Sequence, residues 1–460
     1  MNRRLLQLYL TSLSIGLAAV CLVNAPETTM AVCLLDVISL PFLILVHLRM
    51  HEANAVSPTL WSLIGYVSAG QLPLLIDLAE GRLESSGFGA ATINKTAILI
   101  FVGYRVLLVA VLLVRSPRVP FRRVELKSMP LAIPVALAAI GVLARLVISN
   151  NVTGQMADWV WYYALAFVCT PAAIALVNPA PARQVKRSPV HGIITILVLL
   201  AAGVCALADV SRKDTGMTLL ALLLLHVVVV QPQEPFLRMA GRRAVMITII
   251  LGVLGGLLMA TRAYSWATNN NESFASEFRT SLRDRRANDV IEQLAFVLDT
   301  TPATYPYLDG ITLGSVLPIP RTVWPDRPAA HSYYVGLQWR GRFATEFDPR
   351  EMGTNQLSLS AHLLGEGYAN FGFTGAIVFE FVFGLLVAWY EHLLADGRLV
   401  VLRILYPVIL FFILTQQRGD IAMMNTPWLT CAGVLWLVTL GGRLLRTPRT
   451  SMARKLFAAA

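Results

Sequence analysis

Ten arginines and no lysine lie between residues 261 and 370 of this 460-residue chain: Arg262, Arg279, Arg283, Arg285, Arg286, Arg321, Arg327, Arg340, Arg342 and Arg350. Arginine offers a fixed fork of donors that suits phosphate, whereas lysine is a point charge. Two of the ten sit in a proline-stiffened run, Pro318-Ile319-Pro320-Arg321-Thr322-Val323-Trp324-Pro325-Asp326-Arg327-Pro328. Proline fixes the backbone φ, so Arg321 and Arg327 can clamp a diphosphate at little ordering cost. The face of Trp324 can stack on the apolar C–H patch of a sugar ring. Spacing alone equally allows a structural loop with its tryptophan at a membrane interface.

A second cluster follows: Gly353-Thr354, then Gly365-Glu366-Gly367-Tyr368-Ala369-Asn370-Phe371-Gly372. The glycines let backbone approach a ligand or a neighbouring helix closely. Glu366 is placed near the outer boundary of a membrane span, where a carboxylate can serve as a general base. The plainer reading is a carboxylate favoured by a helix dipole. Arg418, in the tripeptide Arg418-Gly419-Asp420, is placed in a short outer loop facing the same cavity. Asp36, Arg105, Arg145 and Glu380 fall inside or near the ends of apolar runs. Charges there are costly, so they pair or line a wet cavity. An ion pair of Arg105 with Asp36 or Glu380 is the structural expectation. His226 reads as a packing residue. No His, Asp and Glu cluster has metal-ligand spacing, and neither a P-loop nor a GxSxG motif is present. The five cysteines form no CxxC pair and read as small packing residues.

The elements that must position these residues are membrane helices. Apolar residues make up 56% of the chain and charged ones 14%, against about 25% charged in soluble domains. This excludes a disordered chain and a set of soluble domains. About 20 apolar residues cross a bilayer, and twelve candidate spans follow: 5–23, 30–48, 59–79, 96–114, 130–148, 159–177, 190–210, 216–231, 244–260, 371–391, 399–417 and 425–442. The first, preceded by Arg3 and Arg4, is longer than a signal-peptide core and is followed by Pro26, so an uncleaved helix is expected.

The net charge of +11 would point to nucleic acid on a soluble protein. Here it sorts by side. With the N-terminus inside, 21 basic residues flank the inner ends of spans and five lie in short outer loops, as the positive-inside rule requires. Both termini are then cytoplasmic. The arginine-rich segment between spans nine and ten is outside, since long loops cross regardless of charge. Within it, residues 272–299 read as an amphipathic helix, either solvated on the membrane surface or touching lipid headgroups or diphosphate.

The runs IPRTVWPDRP (319–328) and GEGYANFGFTG (365–375), with Gly353-Thr354 between them and NDVIEQLAFVLDTTP (288–302) upstream, resemble bacterial O-antigen or oligosaccharide repeat-unit polymerases of the Wzy type. The resemblance is specific over about 288–375. It implies an all-α polytopic membrane protein of the glycosyltransferase C kind, with about twelve transmembrane helices, one large periplasmic loop and residence in the bacterial inner membrane. The implied reaction moves a chain linked to undecaprenyl diphosphate onto another lipid-linked repeat unit. The product is a surface polysaccharide such as O-antigen, capsule or exopolysaccharide. No metal, nucleotide sugar or other cofactor is implied at the outer face. Partners would be the lipid-linked oligosaccharide, membrane lipid, and possible chain-length regulator and flippase proteins, with no nucleic acid. Matched residue by residue, Arg321, Trp324, Pro325 and Arg327 fall on the first motif, with arginine at 327 where the family often has lysine. Glu366, Tyr368, Asn370 and Gly372 fall on the second, and Arg418 matches by loop position.

The catalytic candidates are thus Arg321, Arg327 and Glu366. The substrate-binding candidates are Trp324, Tyr368, Asn370, Arg418 and Arg145. The chain divides into an N-terminal bundle of nine helices (1–260), the outer loop (261–370), and C-terminal helices with a basic tail (371–460). Three other readings stay open: a glycan ligase, which shares the span count and large loop; a transporter or flippase, which inverted repeats would favour; and a scaffold for envelope assembly.

Overall fold

The computed structural model describes residues 57–114, 132–149, 290–300 and 362–396 as continuous stretches. It also describes isolated positions at 34, 38, 165, 168–170, 172–173, 192–194, 196–198, 200–201, 335, 406, 409–410, 413, 417, 429–434 and 436. The described residues are helical apart from turns and caps, and no strand occurs among them.

Helix α1 is Pro58–Tyr66. Ser57 caps it, its Oγ accepting from Leu60 N at 3.2 Å, and Pro58 takes the first position, where a missing N–H costs nothing. A π turn at Val67–Gln71 carries the chain into α2, Leu72–Ala79. Pro73 explains it: with no N–H, it cannot donate to the carbonyl of Ala69, and the ladder widens. Gly81, at φ 62°, ends α2 in the left-handed conformation before the short α3, Arg82–Ser85. Helix α4 is Ala90–Leu113, α5 Ala132–Ser149, α6 Val290–Thr300 and α7 His362–Asp396.

Among the described residues, three helical stretches are long and apolar enough to cross a membrane: Pro58–Ala79, Ala90–Val111 and His362–Leu394, of 22, 22 and 33 residues. They overlie the spans expected at 59–79, 96–114 and 371–391, and α5 overlies 130–148. The remaining expected spans lie wholly or partly outside the described residues.

Helix α7 departs most from expectation. It begins at His362, inside the segment assigned to the outer loop, and it is not straight. Phe371 (φ −143°, ψ 18°) and Gly372 (φ 66°, ψ −156°) are non-helical, the latter in a region only glycine occupies readily. The chain turns back on itself there. Eight residues span about 12 Å along a straight helix, yet a Cβ on Gly367 would lie 2.7 Å from Ala376 Cα, and one on Gly375 would strike the carbonyl oxygen of Gly367. Gln417 ties the same two limbs together lower down: its carbonyl accepts from Leu363 N (3.4 Å) and its amide donates to Glu380 (2.7 Å). In a straight helix Leu363 and Glu380 would be about 25 Å apart. Residues 362–370 therefore form a short limb lying beside the span 373–396. On the outer side of that span Phe371, Phe373, Val378, Val382, Leu386 and Trp389 are exposed, an apolar face suited to lipid.

Helices α4 and α7 form the main contact. Two glycines bring them together. A Cβ on Gly384 would stand 2.7 Å from that of Ala110, and one on Gly103 would stand 2.8 Å from Leu364 Cδ2. Gly103 meets the limb near Leu363, which Gln417 ties to the level of Glu380, and Ala110, seven residues on, meets Gly384, so α4 runs the same way as the span of α7. Helix α1 runs opposite, because Ser57 at its start bonds Glu391 near the end of α7 (3.0 Å) while Gly70 approaches His362. The core between them is sealed by Tyr66, Leu99, Ile100, Tyr104 and Leu107.

Helix α6 departs from expectation over its own part of the segment 272–299, while the part bearing Arg279, Arg283 and Arg286 lies outside the described residues. The helix is the described part of that amphipathic segment, and it is not solvated: Val290 through Leu298 are all buried, Glu292 and Gln293 included. Its carboxylates are met by hydroxyls, Ser86 donating to Glu292 (2.6 Å) and Thr92 to Asp299 (2.9 Å). The helix packs against α4, α7 and α2 as part of the helical body.

Candidate functional site

The short limb carries the second motif and is its best-defined structure. His362, Glu366 and Asn370 follow at four-residue spacing, which places them on one helical face. All three are buried. Asn370 Nδ2 donates to the carbonyl of Glu366 at 2.7 Å. This side-chain bond spans the last turn of the limb, just before the break at Phe371-Gly372. Asn370, expected to contact substrate, thus also holds the limb's end closed. Tyr368 packs half-buried against the apolar core.

Glu366 stands elsewhere than the sequence placed it. It was assigned to a loop before the span, near the outer boundary; it lies on the limb, 2% exposed, within the helical packing. The reason is the turn at Phe371-Gly372, which sends the preceding residues alongside the span instead of away from it.

His362 was not singled out from the sequence. It opens the limb with φ 62°, uncommon for a residue bearing a Cβ. Its Nδ1 accepts from Leu364 N at 3.2 Å, and its ring meets Tyr66 edge-on at 5.3 Å. With Nδ1 an acceptor, the neutral ring carries its proton on Nε2, which approaches the π turn at Gly70. The signal available was the four-residue repeat His362, Glu366, Asn370.

Of the intramembrane charges, Glu380 resolves differently from an ion pair, while the alternative pairing of Arg105 with Asp36 lies outside the described residues. Glu380 is fully buried and takes its hydrogen bond from the neutral amide of Gln417, with no ion pair to Arg105. The Arg105 guanidinium lies over the rings of Phe101 (4.6 Å) and Tyr104 (5.2 Å), a cation–π placement. Arg145 is buried in α5, which packs against the segment containing Thr170 at Gly141. Arg321, Trp324, Arg327 and Arg418 lie outside the described residues, as does Asp36. Arg418 directly follows Gln417, the residue bonded to both limbs of α7. The structure therefore sets Glu366 and Asn370 on one face of the limb with His362, and Tyr368, two residues from each, on another side.

Among the described residues no group of three or more His, Cys, Asp or Glu could hold a metal ion. Compared with family models, curated proteins and solved structures, the chain matches none.

Proposed function

We propose that the protein is a membrane glycosyltransferase that polymerises lipid-diphosphate-linked oligosaccharide repeat units into a surface polysaccharide at the outer face of the bacterial inner membrane. The observation that carries this reading is the folded form of the GEGYANFGFTG segment. A motif recognised from its residues coincides with a limb built from a glycine-only turn, a Gly367–Gly375 contact and a buried face of His362, Glu366 and Asn370. The opposed directions of α1 against α4 and α7 support the reading too, since spans three, four and ten of the expected arrangement require them.

In this reaction the polyprenyl diphosphate is the leaving group. Arg321 and Arg327 neutralise the charge that develops on it, which removes the need for a divalent cation. Trp324 and Tyr368 offer rings to the sugars. Glu366 takes the proton of the acceptor hydroxyl as the new glycosidic bond forms. Asn370 holds the limb that presents it, and Arg418 and Arg145 add positive charge around the lipid-linked substrate.

Arg321→Ala and Arg327→Ala are expected to abolish long-chain polymer while single repeat units still reach the cell surface, as read by gel profiles of extracted glycolipid. Normal polymer in both variants overturns the proposal. Loss of every surface repeat points instead to a flippase, and accumulation of finished but untransferred polymer to a ligase.

A further inference from the structure

Glu380 and Gln417 are both fully buried. Gln417 Nε2 donates to Glu380 Oε1 at 2.7 Å, which sets an amide against a carboxyl group at membrane depth. The second oxygen of each group, Glu380 Oε2 and Gln417 Oε1, is buried and has no hydrogen-bond partner. An ionised carboxylate here would need a cation. Among the described residues the helices packed on α7 do not supply one: the Arg105 guanidinium sits over Phe101 and Tyr104, α6 brings only the carboxyl groups of Glu292 and Asp299, and no ion pair reaches Glu380. Two buried acceptors without donors, on side chains already joined by one hydrogen bond, are unfavourable in an apolar interior unless a hydrogen is supplied to them.

We propose that Glu380 holds a proton on Oε2 and shares it with Gln417 Oε1, closing a neutral acid–amide pair that anchors the short limb of α7. In that pair the amide N–H bonds the acid's carbonyl oxygen and the acid's O–H bonds the amide's carbonyl oxygen, so one proton satisfies both idle acceptors. The pair reaches the limb through the backbone. Gln417's own carbonyl accepts from Leu363 N (3.4 Å), four positions before Gly367, where the limb touches the span. Glu380 is therefore a positioning residue: through Gln417 it fixes the foot of the limb bearing His362, Glu366 and Asn370. This goes beyond the glycosyl-transfer reading and does not depend on it.

Infrared spectroscopy of the whole protein in lipid nanodiscs tests the proton. At neutral pH the wild type minus Glu380→Gln difference spectrum is expected to show the C=O stretch of a hydrogen-bonded carboxylic acid. A carboxylate band in its place overturns the proposal. Hydrogen–deuterium exchange of the peptide covering 362–370 tests the anchor. Glu380→Gln can rebuild both bonds as an amide–amide pair and should leave exchange unchanged. Gln417→Leu and Glu380→Ala should each raise it about tenfold, the size expected for a lost buried hydrogen bond. Faster exchange in Glu380→Gln as well, or unchanged exchange in Gln417→Leu, overturns the anchoring role. If the leucine variant fails to fold, the spectrum and the Glu380→Gln exchange still decide.

Discussion

At the scale of single residues, the glycines of the second motif decide whether α7 can fold back. Gly375 has no room for a side chain: a Cβ there would meet the carbonyl oxygen of Gly367 and stand 2.5 Å from Phe371 Cβ. Backbone cannot yield as a flexible side chain would. Gly375→Ala is expected to cost about 1–3 kcal/mol through overpacking, read as a lowered melting temperature in detergent. Gly372→Ala fails for a different reason, since nothing crowds its Cβ but its φ is +66°; strain of that kind costs about 1–3 kcal/mol. A Gly372→Ala protein with wild-type melting would show that the turn forms without glycine. The sequence displayed these glycines, and their use in close backbone approach was legible. Which backbone they approach was not, because composition does not say that residue 367 meets residue 375.

At the scale of elements, α1 and α7 are joined end to end by a cap supplied from a distance. Ser57 Oγ accepts from Leu60 N while donating to Glu391, and Thr59 N donates to Glu391 Oε2 at 3.3 Å. One carboxylate thus satisfies an orphan N–H at the start of α1 and orients the capping serine. Glu391→Ala leaves both donors buried and should destabilise the protein by about 1–3 kcal/mol, whereas Glu391→Gln keeps an acceptor and should lose less. Equal losses in the two variants would mean that charge, not hydrogen bonding, holds the ends together. Span positions such as 59–79 were legible because a bilayer imposes a length and an apolar composition. The burial of α6 was not, because its charged pattern signals a wet face unless Ser86 and Thr92, about 200 residues away, are known to meet Glu292 and Asp299. Glu380 was legible as a buried charge in need of a partner; that the partner is an amide 37 residues on was not.

At the scale of the whole molecule, the basic residues divide, on the proposed function, into those that orient the chain and those that face its substrate. Hydropathy and the positive-inside bias predict a side for every segment, and they rest on many residues at once, so one misplaced helix changes little. The described helices bear on this arrangement through their direction: α4 and the span of α7 run the same way, as the expected spans four and ten do. The expected arrangement places five spans and the arginine-rich loop between those two, and puts that loop on the outer side. An alkaline phosphatase reporter, active only outside the cytoplasm, is expected to be active when inserted near residue 310 and inactive when fused after Ala460 or inserted near residue 120. Activity near 310 with silence at the other two sites fixes the ten arginines on the face where a lipid-linked oligosaccharide would be polymerised. The reverse pattern would place Arg321 and Arg327 in the cytoplasm and remove the basis for reading them as the diphosphate clamp of an outer-face enzyme.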